Sequence, residues 1–340
     1  MKGPVFITGN SRSGTTMMMR IMDKHSLLHS INEPHFFGTH WSPSDEGIGL
    51  SRAETERLLF KLLTVQRAGF FESVSEHSPK FKDEVTELVD RLHGADPPSR
   101  VAVYETFLYH EASVNGKVVP CEKTPQNIFY IQEILDHFPE ARIVNMVRDP
   151  RGTMLSQKNK WKRRALGADF MTAKEVRRLK ANYHPITMSR LWKSAIDTAR
   201  RWKGTPAVMN VRFESLLSDA EATLREVCSH IGIPFEADMM DIPHAGSSLK
   251  ADEHTKRGIR KPTERTWQEK GLLPAELHWC QKICGAGMKE HGYEPVETHA
   301  GTFSIIASAM TFPFKVILAL MLNLSRVRNL VDTIKRRLKG

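Results

Sequence analysis

At 340 residues, 40% hydrophobic and 26% charged, the chain can bury one large core, and no Gly/Ser-rich or Pro-rich linker divides it. Its four cysteines, at 121, 228, 280 and 284, fit neither a disulfide framework nor a zinc site; Cys280 and Cys284 stand one helical turn apart as two reduced thiols. The net charge of +10 invites nucleic acid, but the densest basic stretch, Lys158 to Lys180, reads as a solvated helical excursion. With no zinc finger, aromatic RNA-binding signature or helix-turn-helix spacing beside it, no nucleic-acid partner is expected.

In chain order, Val5-Phe6-Ile7 marks a short buried strand over 4–8, and Gly-Asn-Ser-Arg-Ser-Gly-Thr-Thr follows at residues 9–16. Gly9 and Gly14 are five apart, and Met17, Met18, Ile21 and Met22 continue as a helix over 15–25, the strand-loop-helix order of a nucleotide phosphate loop. In such a loop, backbone N–H groups and the helix N-terminus converge on an anion. ATP- and GTP-hydrolysing loops carry a Lys after the second Gly. Here that residue is Thr15, Arg12 is the cation in the loop, and no carboxylate-ended strand for Mg²⁺ is found, so a nucleotide kinase or NTPase is the alternative reading. Further strand-like runs at 101–104, 143–147 and 206–211 alternate with helical stretches at 126–137, 152–160, 187–202 and 218–231. This order predicts an α/β fold with a central parallel sheet covered on both faces, in one P-loop-type domain over 1–297 with a helical tail over 298–340.

Two motifs together carry a family resemblance. Ser11-Arg12-Ser13-Gly14-Thr15-Thr16 resembles the 5′-phosphosulfate loop of the sulfotransferases, and Val147-Arg148-Asp149-Pro150-Arg151-Gly152-Thr153 with Ser156 looks like their 3′-phosphate signature. Further segments are similar to the tyrosylprotein-type and related bacterial branch: Asn32-Glu33-Pro34, Glu122-Lys123-Thr124-Pro125, Arg212-Phe213-Glu214-Ser215-Leu216 with Ile231-Gly232-Ile233-Pro234, and Lys261-Pro262 to Trp267 with Gly292-Tyr293-Glu294-Pro295. The resemblance covers residues 4 to 296.

The resemblance implies 3′-phosphoadenosine 5′-phosphosulfate (PAPS) as sulfuryl donor, without a metal. Arg12, Ser13, Gly14, Thr15 and Thr16 are expected to hold its 5′ end, Arg148 and Ser156 its 3′-phosphate, with Lys160 one turn beyond. Lys261 is expected to close over the nucleotide, with Arg257-Gly258 as the other anchor. Glu33 is implied as general base, and Lys123 with Arg12 as support for the charge growing on the leaving phosphate. His35 departs from the tyrosylprotein branch, which carries an Arg two residues after its Glu, and this counts against a peptide tyrosine acceptor. The acceptor side is expected from residues 36–100, including Trp41, Phe60, Phe70 and Phe71, and from the excursion around 161–185; lipid, glycolipid, carbohydrate, small alcohol and peptide stay open. A non-catalytic membrane-associated nucleotide-binding protein is a further alternative.

His25, His29, His35 and His40 cluster in sequence without a third-ligand motif, so they read as surface or acceptor-pocket histidines rather than metal ligands. Met1-Lys2-Gly3-Pro4 leads directly into the first strand, from which a cytoplasmic protein is expected. The tail is apolar from Phe303 to Leu324 but broken by Pro313 and Lys315, leaving a run too short to span a bilayer. Leu324, Val327, Leu330, Val331, Ile334 and Leu338 then recur at helical spacing opposite a row of cations. Residues 314–339 are thus expected to lie on an anionic membrane surface, with a homodimer or core-packing helix as the other reading.

Overall fold

The computed structural model describes residues 3–68, 81–94, 96–166, 171–244, 253–259, 267, 271–323 and 336. Strands β1 (Val5–Gly9), β2 (Leu28–Asn32), β3 (Val119–Lys123), β4 (Arg142–Val147) and β5 (Val208–Arg212) form one sheet, all parallel, in the order β2-β3-β1-β4-β5. The helices are α1 (Thr15–Met22), α2 (Arg52–Ala68), α3 (Lys82–Leu92), α4 (Arg100–Val114), α5 (Ile131–His137), α6 (Pro150–Lys158), α7 (Ala173–Asn182), α8 (Pro185–Arg200), α9 (Phe213–Ser218), α10 (Ala220–Ile231), α11 (Pro274–Glu290) and α12 (Thr302–Asn323). A two-stranded antiparallel ribbon of β6 (Pro243–His244) and β7 (Glu253–Arg257) stands apart from the sheet.

Side chains alternate across the sheet, so each strand feeds two cores. Phe6, Ile31 and Ile143 pack with Leu59, Leu62, Tyr104 and Phe107 of α2 and α4 on one face. Val5, Ile7, Val144 and Met146 pack with Met18, Ile21, Leu224 and Val227 of α1 and α10 on the other. A third cluster around Trp192 joins α8 to α11, and all four cysteines are free and buried in these cores.

Because the strands are parallel, the carboxyl ends of β1 to β4 share one edge of the sheet, the edge where ligands bind in open α/β folds. The register pairs Gly9 with Met146 and Asn32 with Lys123, which brings the segments after Gly9, Asn32, Lys123 and Val147 together there.

The predicted strand at 101–104 is corrected: these residues open α4. Ser99 caps that helix by accepting from the Ala102 N–H at 3.1 Å, and Val101, Tyr104 and Leu108 fall on its buried side. Helical spacing and burial override the strand preference of Val and Tyr. The place in the sheet between β2 and β1 is taken by β3, where Pro120, Glu122 and Lys123 mask the strand pattern. The stretch 126–137 starts as a tight 3₁₀ turn over Pro125–Tyr130 and becomes α-helical from Ile131.

The tail departs from expectation as well. Helix α12 runs unbroken through Pro313 for 22 residues, long and apolar enough by length and composition to cross a membrane, with a mean hydropathy of 2.0 over its best window. The amphipathic stretch after it lies outside the described residues except for Arg336, which pairs with Glu133 at 2.5 Å and lies over the Tyr130 ring at 4.5 Å.

Candidate active site

The loop after β1 is built for a close-approaching anion. Gly9 has φ 145° and a Cβ there would lie 2.5 Å from the Met146 carbonyl oxygen; Gly14 has φ 99° and a Cβ there would meet the Phe213 ring at 2.3 Å. Only glycine fits both places. Gly14 leads into α1 without a side-chain cap, so the first N–H groups of that helix face the loop. Ser13 Oγ is buried with no hydrogen-bond partner, and Thr15 is buried while Thr16 is exposed. An uncapped helix N-terminus beside an orphaned buried hydroxyl fits the phosphosulfate end of a nucleotide.

Arg12, with φ 75°, links this loop to the start of α6. Its Nε donates to Ser156 Oγ at 2.9 Å, and its carbonyl oxygen accepts from Arg148 Nη1 at 3.1 Å. Arg148 stacks over the Phe213 ring at 4.5 Å, its carbonyl is held by Trp192 Nε1 at 2.8 Å, and Gly152 clears the room its guanidinium needs. Asp149 caps α6 by accepting from the Arg151 N–H at 2.8 Å. Arg151 itself turns away, pairing with Asp149 and lying over Trp267 at 3.9 Å. Glu214 accepts from the Asp149 N–H at 3.0 Å and from the Tyr293 hydroxyl at 2.8 Å. The later resembling segments thus act as a brace behind Arg148.

These cations crowd one another. Burial, with Arg163 and Arg148 nearby, pushes Arg12 down to about 10 against the pull of Glu33. Burial and then Arg12 push Lys160 down to about 8, and burial lowers Arg148 too. Like charges gathered at this cost suit a ligand with several negative charges.

The carboxylate lies on the same edge. Lys123, 2% exposed, donates from Nζ to Glu33 Oε1 at 2.5 Å, while the Glu33 N–H donates to the Lys123 carbonyl at 2.9 Å. His35 Nε2 lies 3.5 Å from Glu33 Oε2. Glu33 and His35 both sit in the left-handed region, φ 52° and 50°, so the chain past β2 is bent to aim both side chains. Burial favours protonated Glu33, but hydrogen bonds and charge from His35 and Lys123 outweigh it and hold the carboxyl well below the usual range.

The structure therefore brings Arg12, Ser13, Gly14, Thr15, Glu33, Lys123, Arg148, Ser156 and Lys160 to one sheet edge. Lys261 lies outside the described residues, and Arg257 of β7 pairs with Asp241. Trp41 and Phe60 are buried in the core with the residues of α2 and α4, and Phe70 and Phe71 lie outside the described residues. The sequence reading missed Arg163, hidden in a stretch read as solvated, although it falls three residues after Lys160 in a 3₁₀ turn. It also missed Glu122, the fully buried neighbour of Lys123 in β3, bonded by Thr124 Oγ1 and by Asn127 Nδ2 at 2.6 Å, and pushed up to about 8 by burial.

The four histidines do not converge. His25 is tied to the Pro234 carbonyl at 2.9 Å and His29 approaches Asn115, far in function from His35 at Glu33. Among the described residues one carboxylate-histidine cluster has ligand-like spacing, Glu84 with His110 and Glu111, and the Arg67 guanidinium bonds both of its carboxylates at 2.7 and 2.6 Å.

A parallel α/β domain with a lysine-less glycine loop and a cluster of cations at one sheet edge defines the class, and comparison with known proteins gives the family. The family model described as "Sulfotransferase family" matches residues 4–237, and the chain belongs to that family. Among solved structures it shares its fold with the sulfotransferase domain from the curacin biosynthetic pathway, at 17% identity over 87% of this chain and 99% of that one, with a TM-score of 0.51. Two others are the sulfotransferase domain from the Synechococcus PCC 7002 olefin synthase (20% identity, 92% and 96% covered, TM-score 0.40) and a sulfotransferase from Mycobacterium avium (17%, 88% and 79%, 0.42). No curated protein sequence matches the chain.

Proposed function

We propose that the protein transfers the sulfuryl group of PAPS to a hydroxyl or amine of an acceptor, with Glu33 as general base. The observation that carries this is the Lys123–Glu33 pair standing on the same sheet edge as the linked Arg12, Ser156 and Arg148. In this reading residues 1–297 hold the chemistry and 298–340 form a separate tail.

The roles follow from charge and position. The α1 N-terminus, Ser13 to Thr16 and Arg12 grip the 5′ end, and Arg148, Ser156 and Lys160 take the 3′-phosphate. In the transfer a bond forms from acceptor oxygen or nitrogen to sulfur, the bond from sulfur to the bridging phosphate oxygen breaks, and that oxygen keeps the electron pair. Arg12 and Lys123 neutralise the charge appearing there while the acceptor proton passes to Glu33. Glu33 bonded to Lys123 is a weak base. Donor binding that draws Lys123 toward the bridging oxygen loosens the pair and restores the basicity of Glu33 as the acceptor needs it.

The test is calorimetric. Adenosine 3′,5′-bisphosphate should bind much more tightly than AMP, and Arg148→Ala should erase most of the difference, about 1.5–3 kcal/mol for one charge-assisted contact, or roughly 10- to 150-fold. Equal affinity of the wild-type protein for the two nucleotides overturns the reading.

A further inference from the structure

Helix α12 turns a stripe of large apolar side chains away from the protein, while its protein-facing side mixes Ile305, Phe312, Val316 and Leu322 with small and polar residues. No residue of it is buried, and the side chains turned toward the protein include small and polar ones: Ser308, Ala309, Lys315, Ala319 and Asn323. Polar bonds fix that side to α7 and α8. His184 Nε2 is 3.1 Å from the Ser308 carbonyl, Arg178 Nη1 donates to Asn323 Oδ1 at 2.9 Å, and Asn323 Nδ2 donates to Asn182 Oδ1 at 2.8 Å. Lys315 Nζ donates to the Lys180 carbonyl at 3.4 Å, and Phe312 packs against the His184 ring.

The outer side carries Phe303, Ile306, Met310, Phe314, Ile317 and Met321, spaced as one stripe, with Phe303 85% and Phe314 74% exposed. A soluble helix turns such a stripe inward. Cations lie nearby: α7, which packs against this helix, exposes Lys174, Arg177 and Lys180, and Arg190 of α8 lies over the ring of Phe312 on the protein-facing side at 5.1 Å. The helix itself contains no acidic residue.

We propose that this face seats the protein flat on an anionic lipid surface, the stripe entering the headgroup and acyl boundary and the nearby cations meeting lipid phosphates. To cross a bilayer this helix would have to leave α7 and α8 and carry Lys315 and Asn323 toward hydrocarbon, whereas polar bonds hold that side on the protein. A second copy fits worse, because a twofold contact sets the same patch against itself and offers the cations of α7 and α8 no acidic residue of the helix to pair with. The seat is independent of the donor and base assigned above.

Full-length protein is floated with vesicles of phosphatidylcholine alone and of phosphatidylcholine with phosphatidylglycerol. The expected result is flotation with the anionic vesicles, lost in Met310→Glu/Phe314→Glu, whose changes sit in water and leave the thermal melt intact. Lys174→Glu and Arg177→Glu should each weaken binding to the anionic vesicles by about fivefold or more, and leave the neutral ones unchanged. Absence of flotation overturns the proposal, whether sedimentation shows a monomer or a dimer that the Met310→Glu/Phe314→Glu protein dissolves. Flotation that survives an alkaline carbonate wash also overturns it, in favour of a spanning helix.

Discussion

Lys123 and Glu33 meet at 2.5 Å from two neighbouring parallel strands, the cation almost fully buried and the carboxylate 39% exposed beside it. Glu33 extends this contact through its own backbone N–H, so the pair is anchored twice to β3. Lys123→Met breaks one anchor and removes the cation. Sulfuryl transfer should fall about 10²- to 10³-fold through lost charge stabilisation. The stability effect has a definite sign. Glu33 is held below its ordinary value in the folded state, so the pair stabilises the protein at a pH above the ordinary carboxyl range and loses that contribution as pH falls through the folded value. Urea melts should therefore show a wild-type advantage over Lys123→Met at about pH 7 that shrinks by about pH 3.

Glu33→Gln separates base from scaffold. The amide keeps the size and can still accept from Lys123, but it cannot take the acceptor's proton. Turnover should drop by about 10² to 10⁴ with adenosine 3′,5′-bisphosphate affinity nearly unchanged. Weakened nucleotide binding with turnover retained would make Glu33 a structural residue.

Residues that act through local pattern were legible in the sequence, and those that act through tertiary contact were not. Gly9 and Gly14 announce the loop because no other residue fits their backbone, and Arg148 follows a plain apolar strand. Strand β3 carries no such pattern, since burial on both faces removes alternation and Pro120, Glu122 and Lys123 speak against a strand. Its identity comes from pairing with β1 and β2. Arg163 and the bracing role of Glu214 depend on contacts across many residues, which spacing cannot encode. The outward turn of the large apolar stripe of α12 is equally invisible until its other side is seen docked on α7 and α8.

With Lys160 at the 3′-phosphate, as proposed, nucleotide binding should depend on pH. Burial and Arg12 push its ammonium down to about 8, and a phosphate beside it restores the charged form. Binding near pH 8 should then take up protons, and affinity should fall as pH rises through that range because the protein must first be recharged. Calorimetry in buffers of different ionisation enthalpy measures the uptake. Lys160→Met should abolish it while weakening binding, and an unchanged proton uptake in that variant would place the titrating group elsewhere.

Glu122 carries the opposite sign to Glu33, its carboxyl being raised where that of Glu33 is lowered. The side chain is fully buried and pushed up to about 8, so the folded protein holds a proton that the unfolded chain releases near the ordinary carboxyl value. The native state binds more protons across that interval, and stability must decline as pH rises through it. Glu122→Gln cannot ionise. It can keep the bond from Asn127 if its oxygen takes the place of Oε2, and the Thr124 hydroxyl can rotate to accept from the new NH₂. Relative to wild type the variant should gain stability between about pH 5 and pH 9, on the order of a few kcal/mol for a shift of this size. Thermal or denaturant melts at the two ends measure it. Parallel pH curves for the two proteins would mean that Glu122 is ionised throughout, its charge carried by Asn127, Thr124 and the neighbouring Lys123.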